Sequence, residues 1–395
     1  MSGAPRAVFV CPVVPHPPQT GGQKRVLRLL EAALRAGVEP TVLTPDPAGR
    51  SQRAALEGRG CRLEVVDERG PTLAGRLQQH IARRPSPYLH RLAGRLRELA
   101  GQSPAWVQLE HGQSGYYLPE LTHVRTVWSL HNLDSAMLRS FAVSEPRLLE
   151  RARAEVRWRA MRTTERRLAR RADAVLCVSA DEEAALRELG ARTVRAPNGV
   201  DDDLFDLSPE RPPGEDVLFF GQLRYGPNRR GLLRFLEEGW PRVAAARPAA
   251  ELRVVGEGAD AELAAAVTAA QRATLVGLVP QIAAELARAA AVVVPVWEGA
   301  GTRLKVLEAL AAARPVVGTR LGVAGIGFED GRHGRVAETP HALGDALAVL
   351  LAAPREAGDA LVRQGRALAR QFRWGPALDP VESLYRRWAM ESSAR

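Results

Sequence analysis

Short apolar runs that stop at glycine or proline, each followed by a stretch of helical spacing, recur along most of this 395-residue chain. Ala7-Val8-Phe9-Val10 reads as a buried strand that stops at Pro12. A proline-rich loop and Gly21-Gly22 follow. From Lys24 the spacing turns helical, with Val26, Leu29, Leu30, Ala33 and Leu34 on one face and Gly37 closing it. Thr41-Val42-Leu43-Thr44 is the next strand. Strand, loop, helix and strand in so short a span make a βαβ unit, which commits the chain to parallel sheet. Further strands are expected at Arg62–Val66, Trp106–Leu109, Thr126–Leu130 and Ala174–Val178, with helices between them.

Around Asp201–Asp216 the residues Asp, Pro, Ser and Gly cluster without periodicity, and then the cycle restarts. Strands are expected at Val217–Phe220, Leu252–Val255, Thr274–Val276, Ala291–Val294 and Pro315–Val317. Helices are expected at Gly231–Glu238, Ala259–Ala270, Ile282–Ala289 and Arg303–Ala313. A chain of this length buries two ordinary cores. The pattern predicts two tandem doubly wound α/β domains, residues 1–203 and 204–378, with strand ends converging on a cleft. A last helix, with Asp379 as N-cap and Pro380 at its first position, is expected to run to about Met390 and pack back on the first domain.

The net charge of +10 raises the question of a nucleic-acid partner, and its distribution argues against one. The densest basic run, Arg151–Arg171, is interleaved with Glu155 and Glu165 on a helical pattern. That is the composition of a solvated helix face, or of a shallow attraction to an anionic membrane surface or acceptor. Peripheral association is the most that the sequence supports, because the longest apolar run, Ala289–Val296, is too short to span a membrane and contains Pro295. The N-terminus lacks a signal pattern, and Cys11, Cys61 and Cys177 show neither metal spacing nor an even count. A cytoplasmic chain is expected. Lysine occurs only at positions 24 and 305 and asparagine only at 132, 198 and 228. In a chain otherwise so rich in arginine, these survivors mark positions where arginine or aspartate would not serve.

The segment richest in chemistry is Gly299-Ala300-Gly301-Thr302-Arg303-Leu304-Lys305-Val306-Leu307-Glu308. It follows a buried strand and enters a helix, with Thr302 as a plausible N-cap. Arg303 and Lys305 then occupy the first turn, where cations lose about 0.3–1 kcal/mol each against the helix dipole. An anion there reverses the sign: glycines, free backbone N–H groups and two cations make a diphosphate site. Glu308 shares a face with Lys305 and reaches neighbouring hydroxyls, such as those of a ribose.

This segment, with Gly21-Gly22, His131-Asn132, Asp173 to Ser179 and Glu182, Pro197-Asn198-Gly199, Phe220-Gly221, Pro227-Asn228, Val255-Gly256, Gly277 to Pro280 and Pro315 to Gly318, resembles the retaining GT-B glycosyltransferases of family 4. The match extends over nearly the whole chain, in a subgroup sharing the Gly-Thr-Arg-Leu-Lys run. The resemblance implies a GT-B fold of two Rossmann-like domains, acceptor-binding and then donor-binding, and transfer of a hexose-type sugar from a nucleotide diphosphate. It implies that Arg303 and Lys305, with the Gly301-Thr302 backbone, neutralise the diphosphate and that Glu308 holds the ribose. Gly221 and Asn228 would lie by the phosphates, and the loop at Val279 would meet the base. Gly21 and Gly22 would let the first domain approach acceptor and donor, and His131 would lie near the transferred sugar. Glu110-His111, at a strand end, is a candidate for orienting the acceptor, or a loop end without chemistry. Ala300 stands where the fuller motif has its first glutamate, with Glu298 two residues earlier. Gln222 replaces an arginine, Arg230 and Asn228 compete for a lysine position, and Ala324 stands where many relatives have glutamate.

Catalysis of this kind rests on stabilising the leaving group, and no metal or cofactor is expected if Arg303 and Lys305 supply the charge. Asp201-Asp202-Asp203 is read as linker. The expected substrates are a nucleotide sugar, first of all a UDP-sugar, and an acceptor that is a glycan, a lipid-linked sugar or a small secondary metabolite. The rival readings are a GT-B-fold epimerase and a catalytically silent sugar-nucleotide or polyanion-binding protein.

Overall fold

The computed structural model describes residues 4–18, 20–67, 89–144, 147–210, 212, 214–299, 304–353 and 355–394. The chain divides into two compact units, Met1–Pro197 with Leu378–Arg395, and Asn198–Ala377. The acidic stretch read as linker belongs to the second unit, where Asp202–Asp206 forms a 3-10 turn and Asp202 pairs with Arg373 at 2.9 Å.

In the first unit seven parallel strands lie in the order β3-β2-β1-β4-β5-β6-β7. They are β1 (Arg6–Val10), β2 (Glu39–Thr44), β3 (Arg62–Val65), β4 (Trp106–Glu110), β5 (Thr126–Ser129), β6 (Ala174–Cys177) and β7 (Thr193–Arg195). In the second unit the order is β10-β9-β8-β11-β12-β13, again all parallel. Its strands are β8 (Asp216–Phe220), β9 (Glu251–Val255), β10 (Ala273–Gly277), β11 (Ala291–Val294), β12 (Val316–Gly318) and β13 (Gly334–Val336). Each sheet therefore starts at an inner strand, winds outward, then reverses, so its topological switch point lies between β1 and β4, or between β8 and β11. Loops leaving the carboxyl ends of those strands form the ligand crevice of such sheets. The α/β, doubly wound fold class is as expected.

Several elements differ from their expected extents. Gly21 and Gly22 are the first turn of the Gly21–Arg35 helix, not a loop before it. Thr20 caps that helix: its hydroxyl accepts from Gln23 N at 3.2 Å, while the Gln23 side chain accepts from Thr20 N at 3.1 Å. The helix expected from Gly231 begins at Gly226, with Pro227 early in its first turn, and passes through a π-helical turn at Phe235–Gly239 into Trp240–Ala246. The last helix, Trp374–Ser393, starts before Asp379 and carries Pro380 inside, so Asp379 is not its cap. Pro380 has no N–H for the ladder, so the helix crosses the unit boundary with one backbone bond missing. Strands β7 and β13, of three residues each, were not expected; neither carries enough side chains to show a period.

Helix Trp374–Ser393 contributes to the core of the first unit. Tyr385 is fully buried, stacked on Trp106 with ring centroids 4.5 Å apart and edge-on to Phe9 at 6.4 Å. Cys11, Cys61 and Cys177 are free and buried, and burial pushes Cys61 up to about 11 and Cys177 up to about 12. Among the described residues no helix is long and apolar enough to cross a membrane.

Candidate functional site

Two clusters of polar groups lie at the switch points, one in each unit. In the first unit, β4 ends in Glu110, β5 leads to His131, and the Gly21–Arg35 helix begins beside both. His131 Nε2 lies 3.0 Å from Glu110 Oε2. Gln108 Nε2 donates to Glu110 Oε1 at 2.6 Å, and Tyr385 donates its hydroxyl proton to Gln108 Oε1 at 2.5 Å. A continuous hydrogen-bonded line thus runs from the C-terminal helix to His131. The His131 and His111 rings lie 3.8 Å apart at 37°. His111 holds a left-handed backbone conformation, φ +67°, and its carbonyl accepts from Trp128 Nε1 at 3.3 Å. Non-glycine residues pay about 1–2 kcal/mol for that region, and such strain gathers at functional sites.

Gly22 is closely approached by both imidazole rings. A Cβ on it would lie 3.1 Å from His111 Cε1 and 3.2 Å from His131 Nδ1. Gly21 precedes it in the same turn. Arg25, one turn further along, is fully buried and donates through Nη1 to the Ala196 carbonyl at 2.7 Å. Burial lowers the His131 imidazole well below its ordinary value, and the Arg25 charge adds to this. Burial, helped by His131, holds His111 down at about 3. Burial pushes Glu110 up, against the hydrogen bond from Gln108. At neutral pH the site therefore presents two uncharged imidazoles, one of them held by a carboxyl group.

In the second unit the cluster is built around the strand end of β8. Lys305, in the Leu304–Ala311 helix, places Nζ 2.9 Å from Asn228 Oδ1 and 4.7 Å from the centre of the buried Phe219 ring. Asn228 Nδ2 donates to the Gln222 carbonyl at 2.9 Å, which fixes the amide so that its oxygen faces the ammonium. Gly221 has φ +141°, and a Cβ on it would stand 2.9 Å from Lys305 Nζ. Gly256, φ +147°, would collide with the Gly221 carbonyl in the same way. The strand ends are thus kept bare around one half-buried cation. Glu308, one turn beyond Lys305, is buried, and Val279 after β10 packs half-buried on the core beneath. Arg230 pairs with Glu298, while Asn228 is the residue hydrogen-bonded to Lys305. Ala300, Gly301, Thr302 and Arg303 lie outside the described residues.

Of the residues singled out from sequence, the structure brings His131, Glu110 and His111 together in the first unit and Lys305, Asn228 and Gly221 together in the second. Sequence reasoning missed Gln108, Tyr385 and Arg25. The one legible signal was Arg25, which lies four residues before Leu29 on the apolar face of its helix.

Two family models match the chain, Glycosyltransferase Family 4 over residues 20–204 and Glycosyl transferases group 1 over residues 214–353. The chain is a GT-B glycosyltransferase. Solved structures of the same fold include HepE of Anabaena in complex with UDP and glucose, 15% identical with a TM-score of 0.69 over 99% of each chain. Sucrose-phosphate synthase of Thermosynechococcus elongatus is 20% identical, with a TM-score of 0.71 over 98% of this chain and 100% of that one. A variant of S. aureus TarM, in complex with fondaparinux, α-GlcNAc-glycerol and UDP, is 12% identical, with a TM-score of 0.70 over 96% and 99%. No curated protein sequence matches the glycosyltransferase. Among its described residues no group of three or more His, Cys, Asp or Glu side chains is arranged to hold a metal ion.

Proposed function

We propose that this glycosyltransferase moves a hexose-type sugar from a UDP-sugar to a hydroxyl acceptor with retention of anomeric configuration and without a metal ion. The observation that carries the reading is Lys305, fixed by Asn228 and Phe219 over the bare Gly221 strand end. A cation held in place before the reaction stabilises a departing diphosphate without reorganisation, and removing one such group typically costs about 2.7–4 kcal/mol. Arg303, two residues earlier, adds a second charge in this reading. Glu308 takes the ribose hydroxyls and the Val279 backbone the base, while the Gly301-Thr302 backbone binds phosphate. UDP in the HepE and TarM complexes favours uridine as the base.

In the first unit His131 is neutral. With Glu110 as the carboxylate, the imidazole proton sits on Nε2. We assign His131, with Gly21, Gly22, Glu110 and His111, to the setting of the transferred sugar and the acceptor. An uncharged imidazole suits an anomeric centre that becomes cation-like, which a charged one would repel. The bond from the anomeric carbon to the diphosphate oxygen breaks, and a bond to the acceptor oxygen forms on the same face. The acceptor proton passes to the departing phosphate oxygen. The acceptor is a glycan, a lipid-linked sugar or a small secondary metabolite. A cytoplasmic setting, where nucleotide sugars are made, fits the reading.

Calorimetric titration with UDP and GDP in EDTA tests this. Wild type is expected to bind UDP, and Lys305→Ala to bind it roughly 10–100-fold more weakly, the value of a charge-assisted hydrogen bond. Unchanged UDP affinity in the variant, or binding that needs a divalent ion, would overturn the proposal.

A further inference from the structure

In the first unit the helices Asp134–Ser144 and Leu148–Ala169 pack against each other as a hairpin. Of the eight large hydrophobic side chains exposed among the described residues, four lie on this one hairpin: Val143, Leu148, Leu149 and Val156. Leu148 is 82% exposed, and Leu149 and Val156 are 64% and 66% exposed. Leu149, Ala152, Val156 and Ala160 are all exposed and recur at helical spacing, so they form one apolar stripe along the outer face. The opposite face carries Ala154, Glu165 and Leu168, which are buried.

Between positions 147 and 171 the chain holds ten arginines and three glutamates. All three glutamates are engaged in hydrogen bonds or ion pairs. Glu165 Oε1 accepts from the buried Ser135 N at 3.0 Å. Glu155 binds Arg139 at 2.6 Å and Arg159 at 3.2 Å, and Glu150 binds Arg153 at 2.6 Å. Arg151, Arg157, Arg166 and Arg167 make no ion pair among the described residues. A solvated helix face has no use for exposed leucine and valine. A nucleic-acid surface draws on aromatic stacking, which this stripe lacks. A second copy would bring like charges together along the whole rim. A narrow aliphatic stripe flanked by arginines matches an anionic lipid surface: aliphatic groups enter the acyl boundary and guanidinium groups stay with the headgroups.

We propose that the Asp134–Ser144 and Leu148–Ala169 hairpin docks this protein peripherally on an anionic lipid bilayer. The inference stands independently of the donor reading. Its test is flotation of the full chain with vesicles of phosphatidylcholine alone, or of phosphatidylcholine with about a third phosphatidylglycerol. Partition into the anionic vesicles only is expected, and it is expected to collapse at about 1 M salt, where the screening length is about 3 Å. Leu149→Asp with Val156→Asp should lower partition at least about tenfold, with thermal unfolding as the control for folding. Arg153→Gln with Arg157→Gln, which leaves the stripe intact, should lower it about tenfold. Absence of binding to anionic vesicles at low salt would overturn the proposal, as would binding that both double variants leave unchanged. Self-association abolished by the aspartate variant, with no lipid binding, would assign the stripe to a second copy instead.

Discussion

His131 and His111, with ring centroids 3.8 Å apart and Arg25 nearby, tie the stability of the first unit to pH. Both imidazoles have values in the fold below the ordinary histidine value of about 6.5. On acidification the unfolded chain takes up these protons first, so their contribution is complete above about pH 6.5 and is lost below it. For His111 the loss continues down to about 3, where the folded form protonates. Glu110 works in the opposite sense, because its raised value lets the folded state bind the proton first. Urea unfolding followed between pH 7 and pH 5 should therefore show stability falling by up to about 1.4 kcal/mol per pH unit for each histidine. His131→Gln should flatten the slope, and a slope that His131→Gln and His111→Gln both leave unchanged would refute the neutral pair. The pair was legible as two histidines after strand ends, yet its environment was not. Gln108 and Tyr385 are 277 positions apart and meet only because the C-terminal helix returns to β4.

At the scale of elements, the helix Gly226–Arg234 decides where Lys305 points, because it carries Asn228. The helix lies directly on the loop after β11: a Cβ on Gly231 would stand 1.8 Å from the Pro295 carbonyl oxygen. Gly231→Ala must push the helix outward and take Asn228 with it. Overpacking of this kind costs about 1–3 kcal/mol, and the denaturation midpoint should fall accordingly while UDP binding weakens. A variant of native stability and native UDP affinity would show that the helix does not set the lysine. Strands were the most legible elements because glycine or proline stops most of them, as Pro295 stops β11 and Gly256 stops β9. Helix starts were less so. Gly226, Pro227 and Asn228 carry no apolar periodicity, and what fixes Asn228 is its bonds to the Gln222 carbonyl and to Lys305.

Over the whole molecule, the chain returns to its first unit with the segment Leu378–Arg395, which supplies Tyr385 and Trp388 against Trp106. Truncation after Ala377 would strip both rings from that core, at a cost of about 3–5 kcal/mol for each large aromatic lost. Calorimetry should then show the first unit melting early or not at all, with the transition of the second unit retained. Two unshifted transitions would contradict this assignment. The sequence by itself determined that the chain is two parallel, doubly wound α/β halves with chemistry concentrated after the strand ends. Those features are local: apolar period, glycine and proline stops, and a helix start with cations where an anion belongs. Tertiary structure alone decided that Asn228 meets Lys305, that Glu110 holds His131, and that a tyrosine near the C-terminus anchors them both through Gln108. Such contacts join residues distant in sequence, and the free energy that selects among them comes from burial and hydrogen-bond satisfaction. Neither leaves a spacing along the chain to be read.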